Sequence, residues 1–150
     1  MNAQAHSAVT PWSPSRSAVK RVTNPLPLPA NCHLCGESCG IVNNSEIYGR
    51  EFGTWPWAVK CIGCGAYVGL HPFTGIPLGT LADKAMRDAR SAAKNAFNPL
   101  WQDGTMTRSE AYAWLAKELG IGAVETCHIG WFGVDQCGAV VKAINNRNAA

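Results

Sequence analysis

The sequence predicts an α+β protein: a small ribbon of short antiparallel strands built around four cysteines, followed by a helical half of three to four helices. Three observations carry that expectation. Two repeats of the form Cys-x2-Cys-Gly, Cys32-His33-Leu34-Cys35-Gly36 and Cys61-Ile62-Gly63-Cys64-Gly65, are separated by 25 residues. Short runs rich in β-branched and aromatic residues follow each repeat. Helix-start signals and apolar stripes then fill the C-terminal half.

A tetrahedral zinc ion takes four soft donors, and a Cys-x2-Cys turn points two thiolates at one spot. A glycine after the second cysteine lets the backbone close the turn in a left-handed conformation with no Cβ penalty. Two such turns predict one structural Zn2+ held by Cys32, Cys35, Cys61 and Cys64. Cys39 is an alternative to Cys35, although the symmetry of the two repeats favours Cys35. Four protein ligands close the coordination shell, so the ion there supplies folding energy rather than Lewis-acid chemistry.

The 150 residues suffice for one ordinary domain, or for a small metal module joined to a helical unit. No basic start leads into an apolar run and no stretch approaches the length of a membrane span, so neither a signal peptide nor a membrane partner is expected. Seven cysteines, four of them assigned to metal, fit a reducing cytoplasm. The net charge of +3 is unevenly placed. Residues 1–31 contain Arg16, Lys20 and Arg21 and no acidic residue, while the remainder holds ten basic and ten acidic side chains.

In order along the chain, residues 1–30 hold five of the nine prolines and predict a disordered, basic arm with Trp12 as its one large apolar anchor. Such an arm orders only on a partner and is dispensable for the fold. Residues 31–72 read as the zinc ribbon. Gly40-Ile41-Val42 and Glu46-Ile47-Tyr48 flank Asn43-Asn44-Ser45 and predict a hairpin, with further strands at Trp57–Lys60 and Ala66–Leu70. Tyr48, Trp55 and Trp57 either cover the metal site or stack bases; in so small a ribbon, cover is the commoner use.

Residues 73–145 read as a helical unit packed on the ribbon, and 146–150 as a tail. After the Pro/Gly-rich connector at 71–79, Thr80 is the expected N-cap of a helix ending near Phe97, because Asn98 precedes Pro99. Leu81, Ala85, Ala89, Ala92, Ala93, Ala96 and Phe97 form its apolar stripe, and Lys84, Arg87, Arg90 and Lys94 a basic one. Thr107-Arg108-Ser109-Glu110 is a capping box opening a helix through Leu119, with Gly120 as its stop. Val134–Ile144 predicts a last helix with Val134, Cys137, Val140, Val141 and Ile144 inward.

Several of these residues occur together in a known pattern. Ala66-Tyr67-Val68-Gly69-Leu70-His71, Pro77-Leu78-Gly79-Thr80-Leu81-Ala82, Phe97, Leu100-Trp101, Arg108, Ala111-Tyr112, Trp114-Leu115-Ala116, Leu119-Gly120-Ile121 and Cys127-His128-Ile129-Gly130 resemble a zinc-finger-containing family of unknown function found largely in bacteriophages and prophages. The resemblance spans about residues 32–142 and implies a small phage protein. The chain departs from the pattern at Lys94 and Asn98, where the family tends to show His and Asp, so no role for such a pair carries over.

No paired-carboxylate spacing, nucleophile elbow or phosphate loop is present, so no enzyme and no small-molecule substrate is expected. Cys127, His128, Cys137 and His71 are candidate donors for a second metal, and Cys127 with His128 a candidate nucleophile and base. Adjacent side chains diverge, however, and buried reduced cysteine is commonplace. The expected function is that of a phage-encoded accessory protein in the host cytoplasm, binding nucleic acid or a nucleic-acid-processing machine. Trp12, Arg16, Lys20, Arg21, Lys84, Arg87, Arg90 and Lys94 are its candidate contacts. The alternative is a protein-binding module, acting as inhibitor or adaptor of a host enzyme, or a small virion component.

Overall fold

The computed structural model describes residues 8–149. It comprises two compact units, one running through Leu81 and the other beginning at Ala82. The connector at 71–79 thus belongs to the first unit, and the helical unit begins later than the residue 73 expected from the sequence.

The first unit is built on a three-stranded antiparallel sheet in the order β1 (Cys39–Asn43), β2 (Trp57–Cys61), β3 (Tyr67–Gly69). The register pairs Cys39 with Cys61, Ile41 with Val59, and Val59 with Val68. Side chains alternate across a sheet with period two, so these positions share one face. Val59, Cys61, Cys32, Ala66, Leu70 and Leu81 form its buried core, with Ile41, Val68, Trp55 and Trp57 packed around them.

The expected hairpin at 40–48 is not formed. Asn43 Oδ1 accepts from Ser45 N at 2.9 Å, and Asn44 O accepts from Ile47 N and Tyr48 N, each at 3.0 Å. These local bonds wind Ser45–Tyr48 into one helical turn, α2, which Gly49 ends at φ 84°. Asparagine side chains compete with ladder bonds in this way. The strand that pairs with β1 is therefore β2, which lies further along the chain.

Residues 1–7 lie outside the described residues, so the expectation of disorder is not addressed there. From residue 8 onward the arm departs from it. Arg16–Arg21 form a short helix, α1, with Ser15 Oγ accepting from Ala18 N at 3.3 Å as its N-cap. Ser15 N donates to Phe73 O at 3.0 Å, Pro11 and Ala18 are buried, and Trp12 meets Trp57 edge to face at 5.4 Å. Backbone bonds and ring contacts made to residues far along the chain offset the entropy of ordering, and arm composition does not reveal them. Removing the arm is accordingly expected to uncover the Trp57 ring, contrary to the dispensable role read from the sequence.

In the second unit, α3 spans Lys84–Phe97 and its N-cap is Asp83, not Thr80: the Asp83 carboxylate accepts from Met86 N at 2.9 Å. Its buried positions are Met86, Arg90, Ala93 and Phe97, whereas Ala85 and Ala92 face solvent. A one-turn α4 (Pro99–Gln102) follows, with proline at N1.

Next comes α5 (Arg108–Leu119), opened by the complete capping box: Thr107 Oγ1 accepts from Glu110 N at 3.1 Å, and Glu110 Oε1 accepts from Thr107 N at 2.9 Å. The Thr107 N–H holds the Glu110 carboxyl below its usual range. Gly120 closes the helix in the left-handed conformation. Thr107→Ala should cost about 1 kcal/mol of helical-unit stability in a urea titration; no measurable change would show that the cap is not needed.

The last helix, α6, runs Val134–Ala149, so most of the expected tail is helical. Cys137, Val140 and Ile144 point inward, while Val134, expected inward, is 48% exposed. α3 packs along α6 around a core of Ala93, Phe97, Leu115, Ile129, Phe132, Cys137 and Val140.

Candidate metal centre

The two cysteine turns are built alike. In the first, Cys32 N donates to Glu37 O at 2.7 Å and Leu34 N donates to Cys32 Sγ at 3.3 Å. In the second, Cys61 N donates to Ala66 O at 2.8 Å and Gly63 N donates to Cys61 Sγ at 3.3 Å. The trailing glycines have φ of 85° at Gly36 and 80° at Gly65, the left-handed values the motif requires. The Cys39–Cys61 register and the Ile62 N to Ser38 O bond (3.0 Å) set the turns side by side.

All four Sγ atoms of Cys32, Cys35, Cys61 and Cys64 consequently lie within 4.8 Å of one another. Cys32 Sγ and Cys64 Sγ are 3.7 Å apart, Cys35 Sγ and Cys61 Sγ 3.4 Å, and all four are free thiols. Four sulfurs placed tetrahedrally around zinc at about 2.3 Å sit about 3.8 Å from one another, so the donor set fits one zinc ion.

The electrostatics agree with the geometry. Burial pushes the Cys61 thiol up, but the N–H groups of Cys64 and Gly63 and the adjoining thiols outweigh it and bring its pKa down to about 6. The Ala66 N–H draws Cys64 down, yet burial and the crowding of Cys35, Cys32 and Cys61 push it up to about 12. Thiols aimed at one point cannot all ionise unaided, and a divalent cation reverses that cost.

Cys39 stays outside the cluster. Its thiol is directed at Glu37 O at 3.8 Å, and burial pushes its pKa up. Trp55 and Trp57 pack against the core that contains Cys32 and Cys61, as cover for the site. Tyr48 does not; it is 50% exposed, with its ring edge-on to Phe52 and Tyr67.

The basic candidates fall into different environments. Arg16, Lys20 and Arg21 are exposed on α1, and Trp12 is 65% exposed. On α3, Lys84 Nζ pairs with Asp88 Oδ2 at 2.7 Å, Arg87 Nη1 donates to Ala82 O at 2.7 Å, and Lys94 is exposed. Arg90 does not belong to that stripe. It is 7% exposed and donates Nε to Phe132 O at 2.9 Å, and burial lowers its pKa.

Among the described residues no second group of three or more metal donors is found. Cys127 and Cys137 are buried, and burial raises both thiols. His128 Nε2 lies 2.7 Å from Glu125 O and its ring stacks on Trp131 at 4.2 Å. Cys127 and His128 do line one cavity of about 190 Å3 with Arg108, Ser109, Tyr112 and Val124. The sequence places Arg108 in the capping box and in the family pattern, with no site role. Its guanidinium lies over the Tyr112 ring at 4.9 Å, a contact for which the spacing of four residues on a helix was the available signal.

A three-stranded antiparallel ribbon whose two turns converge four cysteines is a zinc-finger protein with a closed metal site. The zinc-finger-containing domain family DUF3268 matches residues 28–147, and the chain belongs to that family. No curated protein and no solved structure matches the chain. No helix among the described residues is long and apolar enough to cross a membrane.

Proposed function

We propose that this is a non-catalytic, phage-encoded accessory protein of the host cytoplasm that binds nucleic acid or a machine processing it. The observation supporting this most strongly is where the positive charge sits. The whole excess of +3 lies in residues 1–31, and its three cations stand exposed on α1, with the Ser15 cap bonded to the ribbon's Phe73 carbonyl. On the second unit Arg87 and Lys94 are further cations, while Lys84 is neutralised by its pair with Asp88. Zinc ribbons commonly serve nucleic-acid machinery, a likeness of fold rather than of site. Phage origin rests on the sequence resemblance.

Binding through a few phosphate contacts weakens steeply with salt. Three contacts imply an affinity loss of roughly 20- to 40-fold between 50 and 200 mM salt. Fluorescence anisotropy with labelled oligonucleotides measures this; absence of binding to DNA and RNA at low salt defeats the direct form of the proposal.

The competing reading is a protein-binding module, directed at a host enzyme or built into the virion. Trp12, Ile62 and Phe52 favour it, since all three are large apolar side chains left exposed on the first unit. Affinity capture from infected cells with and without nuclease separates the two. A partner retained after nuclease supports the module, and stoichiometric presence in purified particles supports the virion form.

A further inference from the structure

Two exposed rings lie along the seam where the arm meets the ribbon. Pro11 O closes so tightly on Gly75 that a Cβ there would come within 2.6 Å of it. Ser15 N bonds to Phe73 O at 3.0 Å. Between those two fastenings Trp12 presents a ring that is 65% exposed, anchored by its edge contact with Trp57.

On the ribbon side, Phe73 is 42% exposed and held at φ 62°, a backbone region that a bulky residue enters only when its surroundings impose it. The neighbours that impose it are identifiable. Thr74 is fully buried, donates Oγ1 to His71 O at 2.9 Å and accepts from Ile76 N at 3.0 Å. Trp55 donates Nε1 to Thr74 O at 3.0 Å and lies 5.3 Å from the Phe73 ring. The cations follow directly: Arg16 begins α1 immediately after the Ser15 fastening, and Lys20 lies one turn further on the same face. Arg16, Lys20 and Arg21 make no ion pair among the described residues, and residues 1–31 contain no carboxylate side chain.

We infer that this seam is a binding site for single-stranded nucleic acid, with Trp12 and Phe73 stacking unpaired bases and Arg16, Lys20 and Arg21 meeting the phosphates; the inference rests on the nucleic-acid reading above. Pre-positioned exposed rings beside uncompensated cations are the elements of a stacking platform. A duplex cannot use the rings, because its bases are already stacked on one another. Nor is α1 suited to reading a groove, since six residues make a helix only about 9 Å long. Every base has a flat face and every nucleotide a phosphate, so the site recognises strandedness and not sequence.

The test compares a labelled 12-nucleotide single strand with its duplex on the full-length, zinc-loaded protein. The single strand is expected to bind at least tenfold more tightly. Trp12→Leu and Phe73→Leu keep apolar volume but remove the stacking face, and each should weaken single-strand binding about 5- to 100-fold. Trp12→Phe should retain most of the affinity. Replacing Arg16, Lys20 and Arg21 together with Gln should reduce the slope of log affinity against log salt by about 2. Zinc content of one per chain verifies the fold of each variant, and the wild-type comparison of strand types needs no variant at all. Equal or tighter duplex binding, unmoved by the leucine variants, overturns this inference and leaves the broader nucleic-acid proposal standing. Absence of binding to either probe defeats both. A tight complex with an acidic protein that these variants abolish, without single-strand binding, assigns the seam to a protein partner instead.

Discussion

Cys61→Ser is expected to reduce bound zinc from one ion per chain to none and to unfold the ribbon. Cys61 is fully buried, it belongs to the four-sulfur cluster, and it stands at the end of β2 where the strand enters the second turn. A serine hydroxyl is a poor zinc ligand and would leave three thiols crowded at one point. Structural zinc contributes about 10–16 kcal/mol in small finger peptides, as much as the whole stability of an ordinary domain. Trp55 and Trp57 pack on the same core, so their fluorescence should shift toward that of solvent-exposed indole as zinc is lost. Cys39→Ser is the control: its sulfur lies outside the cluster, and zinc content should stay at one. A Cys61→Ser protein that purifies folded, metal-free and as stable as the parent would refute the assignment.

Phe97→Ala should have the next largest effect. The ring is fully buried at the end of α3 and meets Tyr112 of α5 at 4.7 Å with a 62° angle between planes. Truncating a buried Phe to Ala costs about 3–5 kcal/mol through lost transfer energy and the cavity left behind. That is a large fraction of what a unit of this size has available. Urea denaturation followed by far-ultraviolet circular dichroism should show the midpoint falling while the slope stays constant. A loss below about 1 kcal/mol would mean that the surrounding side chains collapse into the space, contrary to the close packing seen around Phe97.

The parts of this protein that were legible in its sequence are those governed by short-range chemistry. The Cys-x2-Cys-Gly turns needed only local geometry, and the strands at 57–61 and 67–69 and the capping box at Thr107 were read for the same reason. Misreadings arose where a distant or competing partner decides the outcome. The hairpin expected at 40–48 gave way to asparagine side chains bonding their own backbone. The arm is poor in apolar residues of its own, and the acceptor and the ring that order it come from Phe73 and Trp57 far along the chain. Centring the apolar stripe of α3 on Ala85 and Ala92, which face solvent, counted Arg90 as a surface cation. The spacing of Met86, Arg90, Ala93 and Phe97 places it on the inner face with the larger apolar side chains.

That inward Arg90 acts as an indexing pin. Between Met86 and Phe97 the inner face of α3 otherwise carries small side chains, Ala89, Ala93 and Ala96, which by themselves form a smooth track along which a helix could settle in more than one position. A guanidinium cannot slide in that way. Its Nε finds the Phe132 carbonyl at one height and one rotation only, and a slip by a residue would strand a charge among apolar groups at a penalty of several kcal/mol. Alanine lets the helix approach closely, and arginine selects which of the close approaches is used.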